Sequence, residues 1–124
     1  MAKTTQITIP LTALSAGAHG PFTSGLLPPA LTGYELDFTN DATWPAAGDV
    51  IQVTVEQSND NGQNWQFDAS LTMGGGQWKT RQGVNTNTSG WSVSLDNQGS
   101  TTRKARISFN VLQACKLGVT LSSL

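Results

Sequence analysis

Hydrophobic and polar residues alternate in short runs along most of this chain. The clearest runs lie at residues 4–11, 34–39, 50–57, 65–73, 91–95, 105–111 and 115–121. Strict alternation places apolar side chains on one face of a strand, while no window shows the three-and-four spacing of an amphipathic helix. Turn-forming residues separate the runs. The pattern predicts an all-β chain of about seven to nine short strands in an antiparallel β-sandwich, jelly-roll-like in layout.

The first quarter of the chain is less regular and rich in Gly and Pro, including Gly20-Pro21 and Pro28-Pro29. Such residues favour loops and extended segments. We therefore expect a single domain over residues 1–124, with 1–32 as a partly extended N-terminal arm. The apolar residues Phe22, Leu26 and Leu27 in this arm are candidate interface or ligand contacts.

The segment from Ser58 to Trp65 separates two alternating runs and predicts a β-hairpin. Gly62, after an Asn, supplies the positive φ angle that a tight turn needs. The short polar side chains of Ser58 and Asp60 can bond nearby backbone N–H groups and fix the turn. Trp65 can then fold its ring over the loop, so these four residues are predicted to form a structural turn.

The spacing Ser-x-Asp-x-Gly-x-x-Trp resembles the Asp-box, a turn motif of sialidases, many β-sandwiches and phage structural proteins. Asn64 stands where the motif usually has Thr. The resemblance implies a folding role for the turn. Calcium binding by Asp60 and Asp68 is the alternative, but two carboxylates are few for that cation, so no metal site is predicted.

Composition narrows the function classes. Only 12% of the residues are charged and the net charge is -1. The absence of a basic run argues against nucleic-acid binding, and no apolar segment reaches the length of a membrane span. The N-terminus lacks the apolar stretch of a signal peptide, which indicates synthesis in a cytoplasm. A surface with so little charge repels copies of itself weakly, as an assembling protein requires.

Residues for catalysis are scarce. The chain has one histidine, His19, and one cysteine, Cys115, which lies in a predicted core strand. Glu35 and Asp37 share a strand face at a separation of about 7 Å, within the range of a glycosidase pair. An ordinary solvated strand face is the better explanation, because glycoside hydrolysis needs the two carboxyl groups in different environments and nothing in the sequence indicates that. We therefore predict no catalytic residue, no cofactor and no enzymatic activity.

Four tryptophans are the largest apolar side chains. Trp65 and Trp91 begin alternating strands and are expected to face the core. Trp44 and Trp78 lie in or beside predicted loops, where an aromatic ring can contact a sugar or a partner subunit. They are the candidate ligand contacts of a carbohydrate-binding β-sandwich or a phage adhesin domain.

Several segments from Val53 onward, at 53–65, 71–76, 104–109 and 117–123, resemble small β-sandwich proteins that decorate or cement the capsids of tailed bacteriophages. The resemblance implies a non-enzymatic virion protein on the capsid exterior, made in the host cytoplasm. Its partners would be the major capsid protein and further copies of itself, as a dimer or trimer. Capsid decoration is our first functional hypothesis, and glycan binding is the alternative.

Overall fold

The computed structural model describes residues 4–27, 33–41, 43–75, 86–94 and 101–123. Eight strands lie within these ranges: β1 (Thr4–Leu14), β2 (Gly17–Thr23), β3 (Gly33–Asp41), β4 (Asp49–Ser58), β5 (Gln66–Gly74), β6 (Thr86–Ser94), β7 (Lys104–Val111) and β8 (Cys115–Ser123). Among the described residues no helix is long and apolar enough to cross a membrane.

The strands form two four-stranded sheets that pack as a sandwich. The β1 sheet has the order β1-β8-β3-β6, and the β4 sheet has the order β2-β7-β4-β5. Every pairing between neighbours is antiparallel. This order, in which the first strand pairs with the last and the second with the seventh, is that of an eight-stranded jelly roll. The predicted all-β fold class is therefore confirmed.

Alternating side chains from both sheets fill the core. The prediction from periodicity holds well for the central strands, because residues at every second position are buried in β3, β4, β7 and β8. The polar residues that alternate with them in the middle of these strands are half-buried or exposed, whereas Ser122 near the end of β8 is buried. The buried set includes Tyr34, Leu36, Phe38, Ile51, Val53, Val55, Ala105, Ile107, Phe109, Leu117, Val119 and Leu121.

The N-terminal residues are part of the sandwich. β1 pairs with β8 from Thr4↔Ser123 to Leu14↔Cys115, and β2 pairs with β7. Residues 4–23 are therefore not an extended arm, because their backbone groups are used in the two sheets. Gly20-Pro21, one of the two pairs that suggested an arm, lies within β2, which shifts register between His19 and Phe22. Pro28-Pro29 lies outside the described residues.

The candidate contacts of this segment have different environments. Leu27 is 2% exposed and its backbone N–H donates to the carbonyl of Arg103 at 2.8 Å. Its interpretation as an interface residue is corrected, since it is a core residue. Phe22 is half-buried with its ring centroid 5.6 Å from that of Phe109. Leu26 alone among the three is well exposed, at 53%.

Candidate functional site

The loop between β4 and β5 is built around Ser58 and Asp60. The buried Ser58 hydroxyl donates to Asp60 Oδ1 at 2.6 Å and accepts the N–H of Gly62 at 2.9 Å. Asp60 Oδ1 also accepts the backbone N–H groups of Gln63 and Asn64, at 3.1 and 2.9 Å. These bonds close the turn through side chains, as the sequence pattern predicts for Ser58 and Asp60.

Backbone conformation and charge complete this turn. Asn61 and Gly62 both have positive φ, at 62° and 85°, which is the geometry of a tight hairpin turn. Hydrogen bonds from Ser58 and Asn64 lower the pKa of the Asp60 carboxyl to about 2. Asp60 is therefore ionised at neutral pH, with its oxygens already engaged by donors of its own loop.

Trp65 covers this loop on its outer side. A Cβ atom added at Gly62 would lie 3.5 Å from Cζ2 of Trp65, so the ring packs against the turn. The guanidinium of Arg106 lies 4.3 Å from the centroid of the Trp65 ring. Arg106 Nε donates to Glu56 Oε1 at 3.0 Å. The expectation that Trp65 faces the core is wrong, because its ring stacks on a side chain of the outer face.

A β-bulge in β5 explains why Trp65 faces outward. Val55 pairs with Ala69 and Glu56 pairs with Phe67, which leaves Asp68 without an opposite residue on β4. One extra residue reverses the side-chain alternation. As a result Met73 is buried, whereas Phe67 is 68% exposed. The predicted common face from 65 to 73 holds only for Ala69, Leu71 and Met73.

The bulge is held from inside the sandwich. The hydroxyl of the buried Tyr34, on the opposite sheet, donates a hydrogen bond to Asp68 Oδ2. Burial and the interaction with Asp68 raise the pKa of Tyr34 far above its usual 10.0. The inward bond of Asp68 thus fixes the register that presents Phe67 to solvent.

The outer surface of the β4 sheet carries mostly polar side chains, and we call it the polar face. Its members alternate with buried core residues and come from all four strands: Thr23, Gln52, Thr54, Glu56, Phe67, Ser70, Thr72, Arg106, Ser108 and Asn110. Strand register places Thr23, Arg106, Glu56 and Phe67 in one row across the sheet. The face combines one exposed aromatic ring with fixed hydrogen-bond donors and acceptors.

Trp44 does not contribute to such a surface. It is 1% exposed, and its indole N–H donates to the carbonyl of Gly74 at 3.0 Å. The interpretation of Trp44 as a ligand platform is corrected, because its ring points from the residue 43–48 loop into the core. Trp78 lies outside the described residues. Trp91 lies in β6.

An open cleft of about 520 Å³ lies near the start of β8 and is lined by Ala13, Leu14, Ser15, His19, Thr43, Ala114, Cys115 and Lys116. His19 Nε2 lies 2.7 Å from the carbonyl oxygen of Ser15. Burial raises the pKa of the Cys115 thiol to about 11, so it is protonated at neutral pH. In the part of the chain that the structure describes, no three His, Cys, Asp or Glu residues are grouped to hold a metal.

Comparison with known proteins supports the fold. No protein-family model and no curated protein sequence matches this chain. Similar solved structures include a carbohydrate-binding module, CBM28, specific for non-crystalline cellulose, with a TM-score of 0.56 and 13% identity. A family GH115 4-O-methyl-α-glucuronidase gives 0.52 and 14%, and a cleaved adhesin domain of Lys-gingipain from Porphyromonas gingivalis gives 0.51 and 12%.

These likenesses are partial in length. They cover 79%, 98% and 82% of this chain but only 59%, 16% and 60% of the respective structures. At such low identity they show a shared β-sandwich fold alone. The capsid-decoration hypothesis, with its coat-protein partner, its dimer or trimer and its virion location, stays a prediction that no comparison tests.

Proposed function

We propose that this protein is a non-catalytic carbohydrate-binding module whose ligand lies across the polar face. The observation that carries the proposal is the exposed ring of Phe67 beside the Arg106–Glu56 pair, within a sheet surface of neutral amides and hydroxyls.

The side chains of this face match the chemistry of a sugar. A pyranose ring has hydroxyls that both donate and accept hydrogen bonds, and it has an apolar C–H face. Gln52, Asn110 and the neighbouring hydroxyls can also donate and accept. Arg106 adds donors and Glu56 adds acceptors, while Phe67 offers an aromatic surface for the C–H face.

The face is also rigid, which lowers the cost of binding. Its side chains come from paired strands, and Arg106 is held between the Trp65 ring and the Glu56 carboxylate. Groups held in place before binding lose little conformational entropy when a ligand arrives. The carbohydrate-binding module among the similar structures supports the proposal, because it shows that a fold of this kind accommodates sugar recognition.

Glycan arrays followed by titration calorimetry test the proposal. We expect binding of at least one glycan class, and a loss of affinity of about tenfold or more in Phe67→Ala because a central aromatic contact is removed. Leu112→Ala is the matched control, since Leu112 is also exposed but lies in the β7–β8 turn. Absence of binding to every glycan, or equal binding by Phe67→Ala and the wild type, would reject the proposal.

A further inference from the structure

We propose, building on the function proposed above, that the polar face, together with Lys104 at its border on β7, prefers acidic sugars. Lys104 and Arg106 would bind the carboxylate of a uronic or sialic acid unit while Phe67 contacts the sugar ring. The shared chemistry of these ligands is a carboxylate carried by a pyranose ring.

Two of the cations in the described residues lie side by side on one strand. In the described ranges the chain has four: Arg103 is fully buried, Lys116 lies 3.6 Å from Asp41, and Lys104 and Arg106 remain. These last two are alternate residues of β7 and project from its outer side, so their positions along the strand are about 7 Å apart. They form a pair of neighbouring cations on the outer side of one strand, on a chain whose net charge is only -1.

The guanidinium of Arg106 is held in place by two neighbouring side chains. The Trp65 ring covers one face of its guanidinium, and Glu56 uses its Nε–H. No described residue accepts a hydrogen bond from its two Nη groups. A guanidinium edge that is held in place and bonded by no described acceptor is suited to a carboxylate, because two parallel N–H groups can bond its two oxygens.

Lys104 lies beside the loop between β4 and β5. Its Cδ lies 3.7 Å from the Cβ position of Gly62, so its stem runs beside the loop that carries Trp65. No acidic residue in the described ranges forms an ion pair with its ammonium group. Asp60 belongs to the same loop, but four donors of that loop already bond its oxygens, which weakens its attraction for a cation.

The negative charge of Glu56 repels an acidic ligand. The direction in which affinity changes when that charge is removed therefore tests the proposal. The Glu56 carboxylate lies between Arg106 and Phe67 in the row across the sheet. Removing its charge in Glu56→Gln should strengthen binding of an acidic sugar, because repulsion falls and the positive charge of Arg106 is no longer offset by a neighbouring carboxylate. A site that reads neutral hydroxyls alone would be weakened by the same change.

The experiment compares ligands that differ only in charge. Calorimetry would measure oligogalacturonate against its carboxyl-reduced, neutral counterpart, and sialyllactose against lactose. We expect about tenfold tighter binding of at least one acidic member than of its neutral partner, with a preference that shrinks as salt rises toward about 1 M. The two pairs distinguish a uronic from a sialic acid ligand.

Single substitutions test which residues produce the preference for acidic sugars. Lys104→Gln and Arg106→Gln should each reduce the acidic-to-neutral ratio by about threefold or more. Lys116→Gln, which removes an equal charge at the far edge of β8, should leave the ratio unchanged. Equal affinity for acidic and neutral partners, or a ratio unaffected by Lys104→Gln, overturns the acidic preference but leaves glycan binding intact. Failure to bind either member, together with every neutral glycan on the array, rejects the proposed function itself.

Discussion

At the scale of single residues, the contacts that matter most join side chains distant in sequence. Tyr34 and Asp68 are 34 positions apart, and Trp44 reaches the carbonyl of Gly74 across 30. Both side chains are large and amphipathic, with an apolar body in the core and a polar tip that needs a partner. Their partners are a bulged residue and a strand end, which supply the groups that a regular sheet would not offer.

Tyr34 makes this arrangement measurable, because it is the only tyrosine in the chain. Burial and the interaction with Asp68 raise its pKa above the usual 10.0 in the folded state. The stability gained by burying the neutral phenol is therefore complete below pH 10. It is lost as the pH rises above 10, because the unfolded chain then ionises first.

We predict that tyrosinate absorbance will not develop near pH 10 in the native protein, and will instead appear together with unfolding at higher pH. Alkaline titration followed by near-ultraviolet absorbance and circular dichroism checks this. Tyr34→Phe is the control, whose stability should fall less steeply above pH 10. Reversible ionisation near pH 10 with the fold retained would contradict the prediction.

At the scale of strands, close packing explains where β8 carries a glycine. A Cβ at Gly118 would lie 2.5 Å from Thr39 Oγ1 and 2.9 Å from the backbone nitrogen of Leu11. The second contact is with the main chain of β1, in the stretch where its register with β8 shifts between Ile9 and Thr12. Even one methyl group would therefore push two strands apart.

We expect Gly118→Ala to lower the free energy of unfolding by about 1–3 kcal/mol, since overpacking against backbone cannot be relieved by a rotamer change. Urea denaturation measures the loss. Gly25→Ala is a matched control, because a Cβ there meets no atom within 4 Å, and we expect a change within about 0.5 kcal/mol. Equal stability of both variants would show that β1 and β8 are not packed this closely.

Periodicity predicted the central strands but could not predict the bulge in β5. Alternation identified the central strands and the side chains that they bury, because each depends only on its own residues. The bulge at Asp68 depends on Tyr34 in the other sheet, so the outward turn of Trp65 and Phe67 could not be read from the pattern. The loop position of Trp44 predicts a surface residue, yet Gly75, where a Cβ would lie 2.5 Å from the backbone nitrogen of Ala47, lets that loop close over the core.

At the scale of the whole molecule, the jelly roll alone does not choose between the two functional hypotheses. The same architecture occurs in viral capsid proteins and in lectins, and a fold hosts many unrelated functions. What favours glycan binding is a particular surface, the polar face with its exposed Phe67. The regular strands of β4 and β7 set the positions of its polar residues, and the Asp68 bulge adds the aromatic ring.

The pairing of the first strand with the last gives a final prediction for the intact molecule. If residues 1–14 were an arm, their removal would leave a folded core. Instead β1 covers β8 along its length and contributes Ile7, Ile9 and Leu14 to the buried set. Losing three such side chains costs about 2–5 kcal/mol each, against a typical total stability of about 5–15 kcal/mol.

We therefore expect the chain lacking residues 1–14 to lose its cooperative thermal transition in circular dichroism and to aggregate in size-exclusion chromatography, because β8 would become an exposed edge. Thr8→Lys is the control, since Thr8 is exposed on β1 and the change should leave the transition in place. A truncated chain that stays monomeric and unfolds cooperatively would show that β1 is dispensable. The N-terminal segment would then be free to act as the extended arm that the sequence predicts.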